Sequence, residues 1–460
     1  NNTFVEGDKR QDTKMLAETA PGLSKDTSVL LPNSSVDLKK WAVVACDQFT
    51  SEPEYWANAD AIVGDAPSTL RIIYPEVYLG EDAEKKAKRI EGIQETMRKY
   101  LADGVVVPSE WPIYIERTVL GRVHHGLIVA IDLEEYEFTR NATSLIRPTE
   151  ETIVERLPPR MEIRRGAPLE SPHILLLIDD EKRTVIEPLQ KLAEAKKLRT
   201  VYKTELMLEG GAIEGFAVDA AERDAVFAAL KALMDPEEQR RKYGDAAAEH
   251  PLLYAVGDGN HSLATAKSIW EELKKGGADP ATSPARYALV ELNNVHDEAL
   301  CFEPIHRVFE GAGAATVLDE MKKAFGDRMT VEEKAADAVV KEVLAHGNSA
   351  PHKFGYICGD KSAVVSIANP DKTLVVASIQ PTIDTIVKGS NGTIAIDYVH
   401  GEDVVCKLSA KENHSGIILP AMQKSDLFLS VVKMGLVPRK TFSMGHAVEK
   451  RYYMECRRIL

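Results

Sequence analysis

The sequence predicts a protein of the α/β to α+β class, with mixed sheets divided among several lobes. Apolar runs of strand length alternate with helices that carry one apolar face, without the strict alternation that builds an eight-fold barrel. The chain has 460 residues and is 44% apolar, which suffices for two or three packed domains. The predicted organisation is an N-terminal arm at 1–30, an α/β lobe at 31–165, a core lobe at 166–310 and an α+β lobe at 311–460.

The element types follow from apolar spacing and from helix start and stop signals. Asp219 followed by Glu222 opens a helix with a capping signature, and Gly435 with Pro438 ends the last helix. On the same grounds, strands are predicted at 41–46, 112–117, 126–132, 173–178, 252–257, 287–292, 353–358, 363–367 and 374–379. Helices are predicted at 81–101, 219–234, 261–275, 314–325, 331–346 and 421–434.

Charge and cysteine content limit the partners. The 71 acidic residues outnumber the 57 basic ones, and a net charge of −14 disfavours nucleic acid because the phosphates would be repelled. The longest apolar runs have the length of a strand, which does not suffice to span a bilayer. Five cysteines lie singly along the chain, as expected in a reducing compartment. We therefore expect a cytoplasmic protein that binds small molecules, with neither nucleic acid nor a membrane as partner and with its oligomeric state open.

A strand, a glycine-flanked turn and a helix start at residues 252–275 form the strongest functional motif. Gly257 and Gly259 permit positive φ angles and close backbone approach, and the first N–H groups of the helix point toward the turn. Backbone donors and the helix dipole can hold a phosphate there, although a capped turn explains the same spacing about equally well. The predicted phosphate-binding or substrate-binding residues of this segment are Gly257, Gly259, Asn260, Ser262 and Lys267.

Two side chains of the same turn are predicted to be catalytic. The carboxylate of Asp258 would repel a bare anion, but it suits a Mg²⁺ ion that bridges phosphate oxygens, or the amine of a substrate. His261 can donate a hydrogen bond to a phosphoryl oxygen. We therefore predict Mg²⁺ as a cofactor, with Asp258 as its ligand.

Other polar residues give weaker evidence of a binding site, and each of them also has a purely structural explanation. Asp47 follows a strand and suits a substrate amine or a metal, as well as a plain strand-end turn. His306 and Arg307 follow another apolar strand and are predicted to face the substrate, but a satisfied turn histidine beside a surface arginine explains them better. Lys440 lies in a basic cluster that suits a polyphosphate or a solvated edge. The sequence has no Walker A loop or dinucleotide fingerprint, so phosphoryl transfer would require a phosphate-binding site of another type.

Four segments together resemble the bacterial family known as domain of unknown function 1015, from about residue 28 to the C-terminus. They read WAVVACDQFTSEPEYW at 41–56, IRPTE at 146–150, GDGNHSLATAK at 257–267 and PRKTF at 438–442. The family implies no activity. The turn at 258–261 is also similar to the Asp-Gly-His-His motif of the ParB and sulfiredoxin superfamily, which includes free-serine kinases and nucleotide-binding partitioning proteins. This second resemblance implies a ParB/sulfiredoxin-like core around the turn.

The superfamily resemblance also implies a role for Glu150. In the kinases a Lys-Pro-His-Glu segment supplies a catalytic glutamate, and this chain has Arg-Pro-Thr-Glu ending at Glu150. Glu150 would then take the proton of the acceptor hydroxyl, and an ion pair with Arg147 is its structural alternative. Ser262 stands where the superfamily often has arginine, so Arg147, Arg156 and Arg160 are the predicted replacements at the phosphate.

The predicted function is phosphoryl transfer to a small hydroxylated metabolite. Free L-serine is the first acceptor to consider, and pyrophosphate, ATP and ADP are equally suitable donors because their terminal oxygens are alike. Two alternatives stay open. One is hydrolysis of phosphoserine, with water in place of the hydroxyl, and the other is a nucleotide-binding regulatory protein without turnover.

Overall fold

The computed structural model describes residues 20–25, 28–109, 112–445 and 449–460, so most of the predicted arm lies outside the described residues. Contacts divide the chain into two compact units. Unit 1 takes its residues from 1–148, 152–299 and 446–460, and unit 2 from 149–151 and 300–445. Both units combine helices with sheets, which confirms the mixed α/β class. Among the described helices, none is both long and apolar enough to cross a membrane.

Strands and helices are interspersed along the chain in both units. The strands are β1 (Val29–Pro32), β2 (Val106–Pro108), β3 (Ile113–Val119), β4 (Arg122–Asp132), β5 (Ile146–Pro148), β6 (Leu169–Glu170), β7 (Leu175–Ile178), β8 (Thr200–Glu205), β9 (Ala212–Ala217), β10 (Tyr254–Asp258), β11 (Tyr287–Asn294), β12 (Phe302–Pro304), β13 (His306–Glu310), β14 (Met329–Glu333), β15 (His352–Cys358), β16 (Lys361–Ile367), β17 (Ala395–Val399), β18 (His414–Ile418), β19 (Phe442–Met444) and β20 (Cys456–Arg458). The helices are α1 (Leu38–Trp41), α2 (Pro53–Val63), α3 (Ala83–Ala102), α4 (Leu157–Arg164), α5 (Glu187–Glu194), α6 (Ala220–Ala232), α7 (Pro236–Tyr243), α8 (Asp245–Glu249), α9 (Asn260–Lys275), α10 (Val317–Phe325), α11 (Ala336–His346), α12 (Val375–Gly389), α13 (Glu402–Ser409) and α14 (Lys424–Met434).

Unit 1 is built on an eight-stranded mixed sheet with the order β5-β10-β7-β11-β4-β3-β9-β8. Strand β10 runs parallel to β5, with Ala255 opposite Arg147, and antiparallel to β7. Strands from both sides of residue 165 therefore share one sheet, unlike the two separate lobes that the sequence predicts on either side of that position. Apolar patterning marks a strand but does not reveal which distant strand it pairs with, so this union is not visible in the sequence.

The C-terminal segment 449–460 is built into unit 1. Its strand β20 lies in a second sheet of order β2-β1-β20-β6. In the predicted strand at 41–46, Val44 makes a single bridge, to Tyr452, and the main-chain N–H of Ala45 donates to the carbonyl of Arg451 at 2.9 Å. The strand prediction therefore holds only around Val44, because Trp41 is the last residue of α1 and Cys46 lies in a turn.

A buried network of charges holds the C-terminal segment. The Arg451 guanidinium contacts Glu291 at 3.2 Å and forms a further ion pair with Glu455, and all three side chains are buried. Arg117 also pairs with Glu291 at 3.2 Å. Buried charges are tolerated only when they are paired and hydrogen-bonded, so these contacts fix the position of the segment within unit 1.

Unit 2 contains a six-stranded sheet of order β14-β16-β15-β18-β13-β17, in which all neighbouring strands are antiparallel. Two sequence predictions were wrong here. The expected strand at 374–379 is the start of α12, because Val375, Ile379 and Ile383 repeat every four residues on one buried face. The expected helix at 331–346 begins only at Ala336, since the preceding residues form β14.

Candidate functional site

The turn between β10 and α9 depends on Gly259. This residue has a φ of 81°, in the left-handed region, and it caps the N-terminus of the sixteen-residue helix α9. A Cβ atom at this position would lie 3.0 Å from the Cα of Ile174, so both the angle and the space favour glycine. The strand, tight turn and helix start that the sequence predicts are therefore present as β10, Gly259 and α9.

Asp258 forms an ion pair that sequence analysis did not identify. Its Oδ1 accepts from the N–H of Gly259 at 2.9 Å, and its Oδ2 lies 3.2 Å from Nζ of Lys450. Burial lowers the pKa of Lys450, but Asp258 and then Asp47 outweigh burial and raise that pKa above its ordinary value, so the ammonium is charged. Lys450 lies in no local motif, and only the threading of the C-terminal segment brings it to the turn.

The first turn of α9 is also bound to residues 152–153. The N–H of Ile153 donates to Nε2 of His261 at 3.2 Å, which places the ring proton of the neutral form on Nδ1. The side-chain amide of Asn260 donates to Oγ1 of Thr152 at 3.1 Å. Glu150 belongs to the short segment 149–151, which groups with unit 2.

A cavity of about 160 Å³ in unit 1 opens beside the start of α9. Its polar lining includes the Glu76–Arg160 ion pair, Ser262 and His173. Burial raises the pKa of Glu76 above its ordinary value, although Arg160 opposes that shift. A cavity of about 150 Å³ holds a benzene molecule, so this one suits a metabolite of about six or seven heavy atoms.

A chain of hydrogen bonds leads from Cys46 to the cavity. The N–H of Cys46 donates to the hydroxyl of Tyr453 at 3.0 Å, which lies 2.8 Å from Nδ1 of His173. Nε2 of His173 lies 2.9 Å from Oγ of Ser262 and 4.0 Å from Oδ2 of Asp47. Burial raises the pKa of the Cys46 thiol, so this cysteine is held as a neutral thiol and is a poor nucleophile.

Two of the predicted phosphate-binding side chains are engaged elsewhere in unit 1. Arg147 donates to four main-chain carbonyls, including that of His250 at 2.8 Å, and burial lowers its pKa to about 10. Lys267 donates to the carbonyl of Leu133 at 2.8 Å and pairs with Glu271 at 3.0 Å. These contacts favour a structural role for both residues over a role at the turn.

Three further predicted residues lie in unit 2. His306 is buried, and its Nδ1 accepts from the N–H of Leu419 at 3.0 Å. Arg307 is buried as well and donates to Oε1 of Gln380 at 3.0 Å and to the carbonyl of Lys440 at 2.8 Å. Lys440 therefore contributes its main chain to this contact. Arg307 has the surroundings of a side chain satisfied inside a fold, and Nε2 of His306 lies 3.5 Å from Oε1 of Glu402.

The one carboxylate of the turn does not form a ready metal site. Asp258 is a single carboxylate whose two oxygens already contact Lys450 and the main chain. Within the described ranges, a group with three potential metal ligands occurs at Asp179, Glu181 and His296. There Oδ2 of Asp179 accepts from the hydroxyl of Tyr243 at 2.5 Å, which competes with a metal.

Comparison with known proteins gives one family and distant structural neighbours. A family model described as "Protein of unknown function (DUF1015)" matches residues 30–386. No curated protein matches significantly. Free serine kinase in complex with AMP is 14% identical, with a TM-score of 0.36 over 71% of this chain and 90% of that chain. A variant of free serine kinase in complex with ADP is 15% identical, with a TM-score of 0.37 over 72% of this chain and 92% of that chain. A conserved hypothetical protein from Pyrococcus furiosus is 14% identical, with a TM-score of 0.35 over 74% of this chain and 97% of that chain.

Proposed function

Since the chain belongs to the DUF1015 family of proteins of unknown function, we propose its activity from the geometry of unit 1: transfer of a phosphoryl group to the hydroxyl of a small metabolite. Free L-serine is the first acceptor to test. The candidate donors are pyrophosphate, ATP and ADP, which share a terminal phosphoryl group. A ParB/sulfiredoxin-like core is part of the same proposal.

One observation carries the proposal: a helix N-terminus, a charged lysine and a small, mainly apolar cavity with a few polar groups occur together at the start of α9. The N–H groups of the first turn and Lys450 are donors of the kind that hold phosphoryl oxygens. The cavity of about 160 Å³ has the size of a small acceptor rather than that of a whole nucleotide. Phosphoryl transfer needs little beyond an oriented hydroxyl and cations around the moving group.

The proposed step is a direct displacement. The acceptor oxygen forms a bond to the terminal phosphorus of the donor, the bond from that phosphorus to the leaving oxygen breaks, and a base takes the hydroxyl proton. The base that the superfamily resemblance of the segment 146–150 implies is Glu150. His261 and Lys450 stabilise the charge on the phosphoryl oxygens.

The cavity would bind the rest of the acceptor. Arg160 offers guanidinium donors to a carboxylate, and the carboxylate of Glu76 suits an amine. Asp47 does not line the cavity, but its Oδ2 lies 4.0 Å from Nε2 of the lining residue His173 and adds negative charge near it. These groups together match an amino acid better than an uncharged sugar. For this reason serine precedes polyols in the order of assays.

Mg²⁺ is the cofactor that the sequence predicts, and it enters here as a variable of the assay. Because Lys450 already supplies a positive charge at Asp258, no step of the proposed transfer is assigned to a protein-held metal. Turnover with and without a chelator determines whether the donor requires Mg²⁺ on its own phosphates.

Phosphorus NMR of the purified protein with L-serine and each donor in turn tests the proposal. A new phosphomonoester signal is expected. Asp258→Asn is expected to reduce its rate of appearance at least about 100-fold, because Asp258 positions both Lys450 and the N–H of Gly259 at the turn. Asp245→Asn is the matched control, since Asp245 is an exposed aspartate on α8. Unchanged turnover in Asp258→Asn would exclude the mechanism.

Other outcomes separate the alternatives. Release of inorganic phosphate from phosphoserine, without net transfer to serine, would indicate a phosphatase. Stabilisation against unfolding by a nucleotide, with no turnover of any donor, would indicate a nucleotide-binding protein.

A further inference from the structure

We propose that Tyr453 and His173 act as positioning residues that orient the Ser262 hydroxyl as a hydrogen-bond donor to the bound phosphate. The hydrogen bonds run from the main chain of Cys46 through Tyr453 and His173 to Ser262. They therefore join distant parts of unit 1, including the C-terminal segment and α9. The inference rests on the proposed function for the identity of the anion.

The order of donors begins at Tyr453. Its hydroxyl already accepts from the N–H of Cys46 at 3.0 Å, so its own proton needs another acceptor. Burial raises the pKa of Tyr453 well above its ordinary value, and the phenol therefore keeps that proton. Two acceptors are near it, the Cys46 sulfur and Nδ1 of His173 at 2.8 Å. Sulfur is a weak acceptor, so the proton is directed to the imidazole nitrogen.

The tautomer of His173 follows from that contact. If Nδ1 accepts from Tyr453, the neutral ring carries its proton on Nε2. The carboxylate of Asp47, with Oδ2 at 4.0 Å from Nε2, favours a proton on the same nitrogen. Nε2 therefore donates to Oγ of Ser262 at 2.9 Å.

Ser262 is then left with its own O–H to donate. Among the described residues its hydroxyl contacts His173 alone, whereas Thr265 and Ser268 of the same helix donate to carbonyls one turn earlier, at 2.6 and 2.9 Å. Ser262 is the third residue of α9 and lines the cavity. Its hydroxyl thus joins the first-turn N–H groups as a donor for an anionic oxygen.

This assignment gives the serine at position 262 a defined direction of hydrogen bonding. A serine hydroxyl is both a donor and an acceptor, so unassisted it does not select an anion. A histidine that occupies its lone pair converts it into a donor. This arrangement requires a buried tyrosine–histidine pair, and the C-terminal segment supplies its tyrosine, Tyr453.

The tautomer is measured directly on the full chain. Selective ¹⁵N-histidine labelling with long-range proton–nitrogen correlation distinguishes the two neutral forms, and the His173 signals are assigned by their loss in His173→Gln. At pH 8 the Nε2-protonated form is expected for His173. The Nδ1-protonated form would overturn the inference whether or not the protein transfers phosphate.

A double-mutant cycle tests the consequence for binding, with inorganic pyrophosphate as the probe. Tyr453→Phe is expected to weaken pyrophosphate binding by about threefold to tenfold, the usual effect of one hydrogen bond. The same change in a Ser262→Ala background is expected to have no further effect, because Tyr453 acts through Ser262. Ser262→Thr, which keeps the hydroxyl, should restore the sensitivity to Tyr453→Phe.

Two results would contradict this proposal in different ways. An equal loss from Tyr453→Phe in both backgrounds would show a merely structural role for the tyrosine. Failure of the wild-type protein to bind pyrophosphate would remove both the Ser262 donor role and the pyrophosphate version of the proposed function, and the tautomer would still report on the hydrogen-bond order by itself.

Discussion

Unit 1 at Asp258 and unit 2 at His306 contain the same kind of sequence signal, polar side chains next to an apolar strand, with different structural outcomes. In unit 2, Arg307 is buried among a glutamine, main-chain carbonyls and the ring of Tyr398, at 5.0 Å. In unit 1, Asp258 pairs with Lys450 at the start of a helix beside a cavity. The comparison teaches that polar residues at a strand become a candidate site when their partners are other side chains and space for a ligand lies near.

Substitution of Lys450 and Arg307 tests this comparison with the largest expected effects. Lys450→Met should lower kcat/KM for phosphoryl transfer by about 100-fold, since a cation is lost from the phosphate. Arg307→Met should lower the free energy of unfolding by about 3 kcal/mol, because several buried acceptors lose their donor, and should change kcat/KM by less than about threefold. Steady-state phosphorus assays and urea unfolding followed by circular dichroism measure the two quantities.

The controls keep the two effects separate. Lys242→Met removes a similarly buried lysine of unit 1 that donates to the carbonyl of Asp179, so a loss of stability without a specific loss of transfer is expected. All four tryptophans of the sequence precede residue 300, so their fluorescence reports unit 1 and should change little in Arg307→Met. A 100-fold loss of kcat/KM in Arg307→Met would reverse the comparison.

Much of the fold could be predicted from the sequence because its signals are local. Helices α3 and α6 follow from amphipathic spacing and caps, as the side chain of Asp219 shows by accepting from the N–H of Glu222 at 3.1 Å. The strand, turn and helix around Gly259 were predicted for the same reason. Segment 374–379 was misjudged because a short run of β-branched residues fits a strand and a buried helix face equally well.

The partners of the candidate site could not be predicted in the same way. Lys450 and Tyr453 reach unit 1 because the C-terminal segment is fixed by buried ion pairs such as Arg451 with Glu291. No local pattern encodes that threading. Arg147 shows the converse case, since its place in an arginine-rich stretch suggests phosphate binding, whereas its donors are used by main-chain carbonyls that only the folded chain assembles.

A buried histidine in each unit extends the comparison of unit 1 with unit 2 to the pH dependence of stability. Burial lowers the pKa of His124, in unit 1, to about 4, and burial also lowers that of His306 in unit 2, where Glu402 opposes the shift. The pKa of His124 in the folded chain lies below its value of 6.5 in the unfolded chain. The contribution of neutral His124 to the free energy of unfolding is therefore fully present above about pH 6.5 and is lost as the pH falls toward 4. At pH 5 the loss should be about 2 kcal/mol.

Tryptophan-detected urea unfolding at pH 7 and pH 5 measures that loss in unit 1. His124→Leu should remove most of the difference between the two pH values, and His400→Gln, a change at an exposed histidine of unit 2, should leave it intact. An unaltered pH dependence in His124→Leu would mean that the carboxylates around His124, which are Glu291, Asp297 and Glu449, keep it charged in the folded state.

The smallest expected effect separates backbone strain at the site from backbone strain elsewhere. Gly259 and Gly104 both have left-handed φ angles, 81° and 65°, but a Cβ atom at Gly259 would lie 3.0 Å from Ile174, and one at Gly104 would meet nothing within 4 Å. Gly104→Ala should therefore cost about 1 kcal/mol, and Gly259→Ala about 1 kcal/mol more because Ile174 has to move. Tryptophan-detected unfolding of the two variants gives the difference. Equal costs would show that Ile174 yields freely and that the turn tolerates a side chain, in which case Gly259→Ala should also keep the rate of phosphoryl transfer. A larger cost at Gly259, together with a reduced rate, would show that the start of α9 must remain at this position to bind the phosphate.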